Sequence, residues 1–302
     1  MGECSSLLII SSLSMCMSDI TYKSNLDSLT YVAFDVETTG LSAVAQKLVE
    51  LSGVKFNPLS HEVETFSRLI NPEIPIPREV TNIHGIDDKM VKGKPTVRQV
   101  VPEFLDWIGF NSVLIAHNAP FDLDFMRVNV ARLGLECPTN YVIDTLVLSR
   151  ECLPEAPRHQ LKTVVETLNL PSGGYHRALA DSVHVKDVFL TLIKASNLTL
   201  FEHLCALGAV TTFNFDQYKD QVIESMSERD RENMTLLEKA IADSSTLEIT
   251  YNGAVMTTRR IRPISLVHSR GQIYLTAYCN TVRAERTFRV DRIGKLIGTS
   301  AK

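Results

Sequence analysis

A chain of 302 residues with 44% apolar and 22% charged side chains has globular composition and room for one large or two modest cores. No apolar run approaches the roughly 20 residues of a bilayer-spanning helix, and the six scattered cysteines form no Cys-x-x-Cys pair, which excludes a membrane partner and a zinc ribbon and fits thiols of a reducing, cytoplasmic compartment. The net charge of −4 conceals a split, because ten Lys or Arg against three acids give +7 from Thr246 to Lys302 and leave −11 for residues 1–245.

Residues 1–28 read as a disordered leader, or as an overlong start with Met15 or Met17 as the true one. Their Met-Gly-Glu-Cys-Ser-Ser opening also fits an N-myristoylation pattern with Cys4 as a second lipid site. Tyr31 to Val36, Lys47 to Phe56 and Val63 to Ile70 then read as three strands with short connections, hence antiparallel. Beyond the Pro-rich Asn71 to Pro77 the pattern becomes helix (Thr96 to Ile108), strand (Ser112 to Ala116), helix (Phe121 to Leu133) and strand (Tyr141 to Leu148). Helices follow at Gln160 to Leu168 and Ala178 to Ala195. Antiparallel strands followed by βα units predict an α/β domain over residues 29–195, with a mixed sheet flanked by helices. Residues 196–235 read as a helical linker, and the charged Asp216 to Glu232 as its solvated part. After Ser245 the period shifts to two, and Leu247 to Tyr251, Thr257 to Ile261, Gln272 to Tyr278 and Glu285 to Val290 predict a small, mostly β domain over residues 236–302. Asn252-Gly253 and Arg270-Gly271 supply its turns.

Chemistry concentrates at the ends of the first domain's elements. Asp35 and Glu37 stand two apart at a strand end, so the pleat puts both carboxylates on one face, where a hard divalent cation such as Mg²⁺ or Mn²⁺ would offset their repulsion. His117 to Asp122 follows the buried strand Ser112 to Ala116 and opens a helix, the kind of βα loop at which ligands sit. Asp122 falls in the first helical turn. Behind Gly173-Gly174, His176 precedes Asp181 at the start of the last helix, so that Asp181 can hold a metal while His176 takes a proton from water.

Phe34-Asp35-Val36-Glu37-Thr38-Thr39-Gly40-Leu41, Asn82 to Ile86, His117 to Asp122 and His176 to Asp181, in this order, resemble the successive motifs of the DEDDh exonuclease family. The resemblance implies a ribonuclease H-like fold and 3′→5′ release of nucleoside monophosphates from single-stranded DNA or RNA with a free 3′ end. It further implies that Asp35, Glu37, Asp122 and Asp181 bind two Mg²⁺ ions, for which Mn²⁺ can substitute, and that His176 is the general base. By the same likeness Thr38, Leu41, Asn118 and Phe121 contact the substrate, though Leu41 and Phe121 suit core packing equally well.

In the tail, arginines interleave with aromatics, a pattern that suits phosphate pairing and base stacking. Arg286 and Phe288 share one strand face and Arg289 takes the other, so no single groove collects every arginine. Tyr251 to Gly253, Arg262 to Ile264, Ile273 to Tyr278 and Arg286 to Ile293 resemble the WYL domain, an Sm-like module of bacterial regulators, with Ile273 where that family's tryptophan stands. The resemblance implies a nucleic-acid or nucleotide ligand on Arg262, Arg270, Tyr274, Arg286, Arg289 and Arg292, and a bacterial origin. Two other readings stay open: a polymerase-associated proofreader whose tail docks a partner, and a non-catalytic, ligand-responsive nucleic-acid binder. Oligomeric state is not legible, and a homodimer stays open.

Overall fold

The computed structural model describes residues 20–214, 226–269 and 271–298. Its first sheet has six strands in the order β3-β2-β1-β4-β5-β6. These are β1 (Tyr31–Thr38), β2 (Leu48–Phe56), β3 (Val63–Leu69), β4 (Val113–Ala116), β5 (Tyr141–Asp144) and β6 (Val210–Thr212). β1, β4 and β5 run parallel, while β2, β3 and β6 are antiparallel to their neighbours. The helices are α1 (Arg78–His84), α2 (Asp88–Val91), α3 (Val97–Ile108), α4 (Ala119–Leu133), α5 (Thr145–Cys152), α6 (Leu161–Thr167), α7 (Ala178–Ala195), α8 (Phe201–Ala206) and α9 (Glu228–Ala242). None of them is long and apolar enough to cross a membrane.

Alternation along β1 decides what each face meets. Val32, Phe34 and Val36 enter a core with Phe104 of α3 and Met126 of α4, whereas Tyr31 and Ala33 pack with Val185 and Phe189 of α7. Asp35 and Glu37 continue the second series, so the same parity that buries Ala33 aims both acids toward α7. Phe34 is fully buried, and its truncation to Ala would cost about 3–5 kcal/mol through lost transfer energy and the cavity left behind.

Several expectations need correcting. The strand read as Tyr141 to Leu148 stops at Asp144, because Asp144 Oδ1 accepts Leu146 N at 2.8 Å and so caps α5. The leader does not extend to residue 28: Leu26 is buried, donates its N–H to Thr199 O at 2.8 Å and accepts from the Tyr31 hydroxyl at 2.7 Å. Nor does the first domain end at Ala195, since β6 pairs with β5 and Phe213 is buried in the α3–α4 core. Of the charged stretch Asp216 to Glu232, residues 216–225 lie outside the described residues, as does Arg270.

The second sheet has five antiparallel strands in the order β10-β9-β8-β7-β11. They are β7 (Leu247–Asn252), β8 (Met256–Ser269), β9 (Gln272–Cys279), β10 (Ala284–Arg289) and β11 (Ile293–Gly298). β8 runs on past Ile261 because a register shift between Pro263 and Ser265 absorbs the proline that would otherwise break the ladder. β11, unforeseen from the sequence, is short and carries Gly294 and Gly298. One face packs on α9, with Leu237 and Ala240 against Ile249, Leu275 and Phe288. The opposite face is not free, for Val267 and Tyr274 join the α3–α4 core of the first domain.

Candidate active site

β1 brings Asp35 and Glu37 to the C-terminal end of the parallel strands, and α7 brings Asp181 above them. One carboxylate oxygen from each lies within 4.8 Å of the others. Asp122, in the first turn of α4, accepts the Val36 N–H at 3.1 Å and so leans over the same strand end. Burial, then the charges of Asp122, Glu37, Asp181 and Glu50, push the Asp35 carboxyl well above the usual range. Burial and the charges of Asp181 and Glu50 push Glu37 up to about 8. Asp122 and Asp181 are also raised, chiefly by burial. Four acids that resist ionising together form a set that a hard divalent cation would relieve, and an all-carboxylate donor set fits Mg²⁺ or Mn²⁺.

His176 stands at the mouth of this cluster, exposed, with φ at +64°, a left-handed conformation that costs a residue with a Cβ about 1–3 kcal/mol. Its N–H donates to Asp181 Oδ2 at 2.9 Å, which fixes the backbone and leaves the imidazole free to face solvent. Sequence reasoning missed what steadies this corner. Glu50, 1% exposed on β2 and in register with Glu37, takes two hydrogen bonds from Arg177, at 2.8 and 3.2 Å, and one from Ala178 N at 3.0 Å. A lone acid inside the apolar run Leu48 to Phe56 was the available signal.

The expected substrate contacts divide. Leu41 is 75% exposed at the end of the β1 motif, and Asn118 is exposed in the left-handed conformation that starts α4. Thr38 is buried, and its hydroxyl turns back on its own turn by donating to Gly40 O at 2.7 Å. Phe121 packs on the core, 5.2 Å from Phe125 between ring centroids. His117 is a pin: its Nε2–H donates to His159 O at 2.8 Å, and burial pushes it down to about 4, hence neutral.

In the second sheet Arg262, Arg286 and Arg292 are exposed. The Arg262 guanidinium lies 6.0 Å from the Tyr278 ring. Arg289 is ion-paired with Asp291, and Tyr274 is half-buried against the first domain's core. The structure does not bring these four arginines and Tyr274 to one spot, because Arg286 stands opposite Ala277 and Arg289 opposite Tyr274 on alternate faces.

Residues 32–189 match the family model described as an exonuclease, and residues 232–297 match the WYL domain. The DNA polymerase III PolC-type protein of Listeria innocua serovar 6a is 38% identical over 169 residues, which are 56% of this chain and 12% of the polymerase. That of Halalkalibacterium halodurans is 39% identical over the same shares. The chain thus spans about an eighth of the length of these relatives. A zinc-bound complex of Escherichia coli exonuclease I with single-stranded DNA gives a TM-score of 0.52 at 13% identity, over 90% of this chain and 65% of that one. A 3′-exonuclease described with a histone mRNA stem-loop gives 0.51 at 19% identity, over 59% and 85%. These last two likenesses establish the ribonuclease H-like fold. The chain belongs to the exonuclease family and carries a WYL domain on its C-terminal side.

Proposed function

We propose that the protein is a metal-dependent 3′→5′ exonuclease that releases nucleoside monophosphates from single-stranded DNA or RNA. The observation that carries this reading is the meeting of Asp35, Glu37 and Asp181 within 4.8 Å, beside Asp122 and an open His176. Asp35, Glu37, Asp122 and Asp181 would hold two Mg²⁺ ions. When bound, such ions neutralise the phosphodiester and lower the pKa of water. His176 accepts the proton of the attacking water at its imidazole, and its exposure lets it meet that water without rearranging the core. Glu50 holds Arg177 and the start of α7, which keeps His176 and Asp181 in one frame. Leu41 offers an apolar face to the terminal base, and Asn118 a polar one to the strand behind it. The 3′ polarity rests on the DEDDh pattern of the four motifs.

The exposed arginines of the WYL domain add affinity for a strand or take a regulatory nucleotide. The test of the site is Asp35→Ala in the full chain: hydrolysis is lost while the melting temperature holds or rises, because one of four crowded acids is gone. Hydrolysis near the wild-type rate would remove Asp35 from the site. A second reading, action beside a replicative polymerase, is favoured by the 38% identity to the PolC-type protein. Recovery of a polymerase on the tagged protein would support it, and recovery of none would count against it.

A further inference from the structure

The loop between β1 and β2 is held in part from outside the nuclease domain. Its base is closed by Thr39 N donating to Lys47 O at 2.8 Å and Lys47 N donating to Thr39 Oγ1 at 3.0 Å. Its crest turns on Ser42, whose carbonyl accepts Ala45 N and Gln46 N at 3.0 and 2.7 Å. Ala43 and Val44 are buried, although most loop residues stay in water. Val44 O then receives two side chains from elsewhere, Arg132 Nη2 at 2.7 Å and the Thr287 hydroxyl at 3.2 Å.

Arg132 sits in the last turn of α4, and Thr287 lies on β10 of the WYL domain. The same guanidinium donates to Thr287 Oγ1 and, through Nε, to Thr276 Oγ1 on β9, both at 3.2 Å. No carboxylate among the described residues comes within 4.0 Å of Arg132. A guanidinium on neutral acceptors gains little from raw attraction, but its planar fork imposes direction on all three partners. The other end of the contact is also fixed, for the Ser269 hydroxyl donates to Asp124 Oδ2 at 2.7 Å with both residues buried. Asp124 lies two residues beyond Asp122 on α4.

We propose that Arg132 and Thr287 are positioning residues: through Val44 the WYL domain holds the 42–47 loop, and with it Leu41, in place for the terminal nucleotide. This rests on the exonuclease reading above. The acid cluster and His176 sit on β1, α4, α7 and the turn before α7, not on this loop. Loosening the loop therefore weakens substrate placement and spares the chemical step. The WYL domain then works as a wall of the substrate site even for a substrate too short to lie along its arginines.

The experiment compares full-length wild type, Thr287→Val and Arg132→Lys on a dinucleotide and on a long single strand. Thr287→Val is nearly isosteric and removes one donor and one acceptor, so the fold survives; Arg132→Lys keeps the charge and loses the fork. The expected result is a KM raised roughly three- to tenfold on both substrates with kcat within about twofold of wild type. Amide hydrogen exchange over residues 39–47 should also speed up in both variants. Unchanged dinucleotide KM, or unchanged exchange, overturns the proposal; a change confined to the long strand means that the domain only captures strands. A wild-type protein that cleaves nothing would defeat the exonuclease reading instead, and the exchange data alone would then decide whether the WYL domain holds the loop.

Discussion

The end of the nuclease sheet and the face of the WYL sheet gather charge in opposite ways. At the first, carboxylates from β1, α4 and α7 converge, burial raises the proton affinity of all four, and the neighbouring acids raise Asp35 and Glu37 further while Arg177 pulls Glu37 back. At the second, the seven described arginines from Arg259 to Arg292 are spread by alternation over both faces of β8 and β10 and over the turns beside them. Arg289 is neutralised by Asp291, and Arg262 rests over Tyr278. Converging, uncompensated charge calls for a ligand. Dispersed and locally paired charge tunes affinity, and the apolar and hydroxyl-bearing side chains between the arginines are spent on joining the domains.

The sharpest break in this contrast comes from His176→Ala, which should lower kcat by about 10²–10⁴-fold, the range of a lost general base. Rates measured at saturating Mg²⁺ check it, and a loss under tenfold would leave His176 outside the chemistry. Next comes the cation. Without metal, the raised Glu37 carboxyl keeps its proton in the folded state between its ordinary value and about 8, while the unfolded chain has released it. Stability must therefore fall as pH rises through that window. Melting in EDTA should drop from pH 5 to pH 8.5, and Mg²⁺ should restore it at the higher pH. A concentration one hundred times Kd would add about 2.7 kcal/mol.

Smaller still is Glu50→Gln. It leaves Arg177 short of its partner, but that guanidinium side chain is 46% exposed and relief of Glu37 works the other way, so about 1–2 kcal/mol is expected in urea unfolding. A cost above about 4 kcal/mol would make Glu50 a core structural acid rather than a brace for α7. Smallest is Arg286→Ala, which should reduce the salt slope of long-strand binding by about one unit and leave kcat unchanged. An unchanged slope would separate the WYL surface from the strand altogether.

The acidic site was legible because each member sits where local chemistry already marks it. Asp35 and Glu37 end an apolar run, Asp122 opens a helix after a buried strand, and Asp181 follows a Gly-Gly hinge. Glu50 escaped because its role depends on register, and only the pairing of Glu37 with Glu50 brings it beside Arg177. Asp144 escaped for a local reason, since an apolar run through Leu148 masks the cap that turns the chain into α5. The docking of the two domains lay beyond sequence reasoning. Arg132, Thr276 and Thr287 are ordinary helix and strand residues, and nothing in their order says that one guanidinium will span three segments. For the same cause Tyr274 read as a stacking platform, whereas it lies half-buried on the nuclease core.

The role proposed for the four converging acids is phosphodiester hydrolysis from a 3′ end. Its most direct test is digestion of 3′- and 5′-labelled single-stranded DNA and RNA by the full-length protein, with Mg²⁺ and with EDTA. Stepwise shortening from the 3′ end that EDTA abolishes is the predicted result, with the 5′ label retained on a ladder of shrinking products. Cleavage that persists in EDTA, that starts at the 5′ end, or that is absent from both polymers would contradict it.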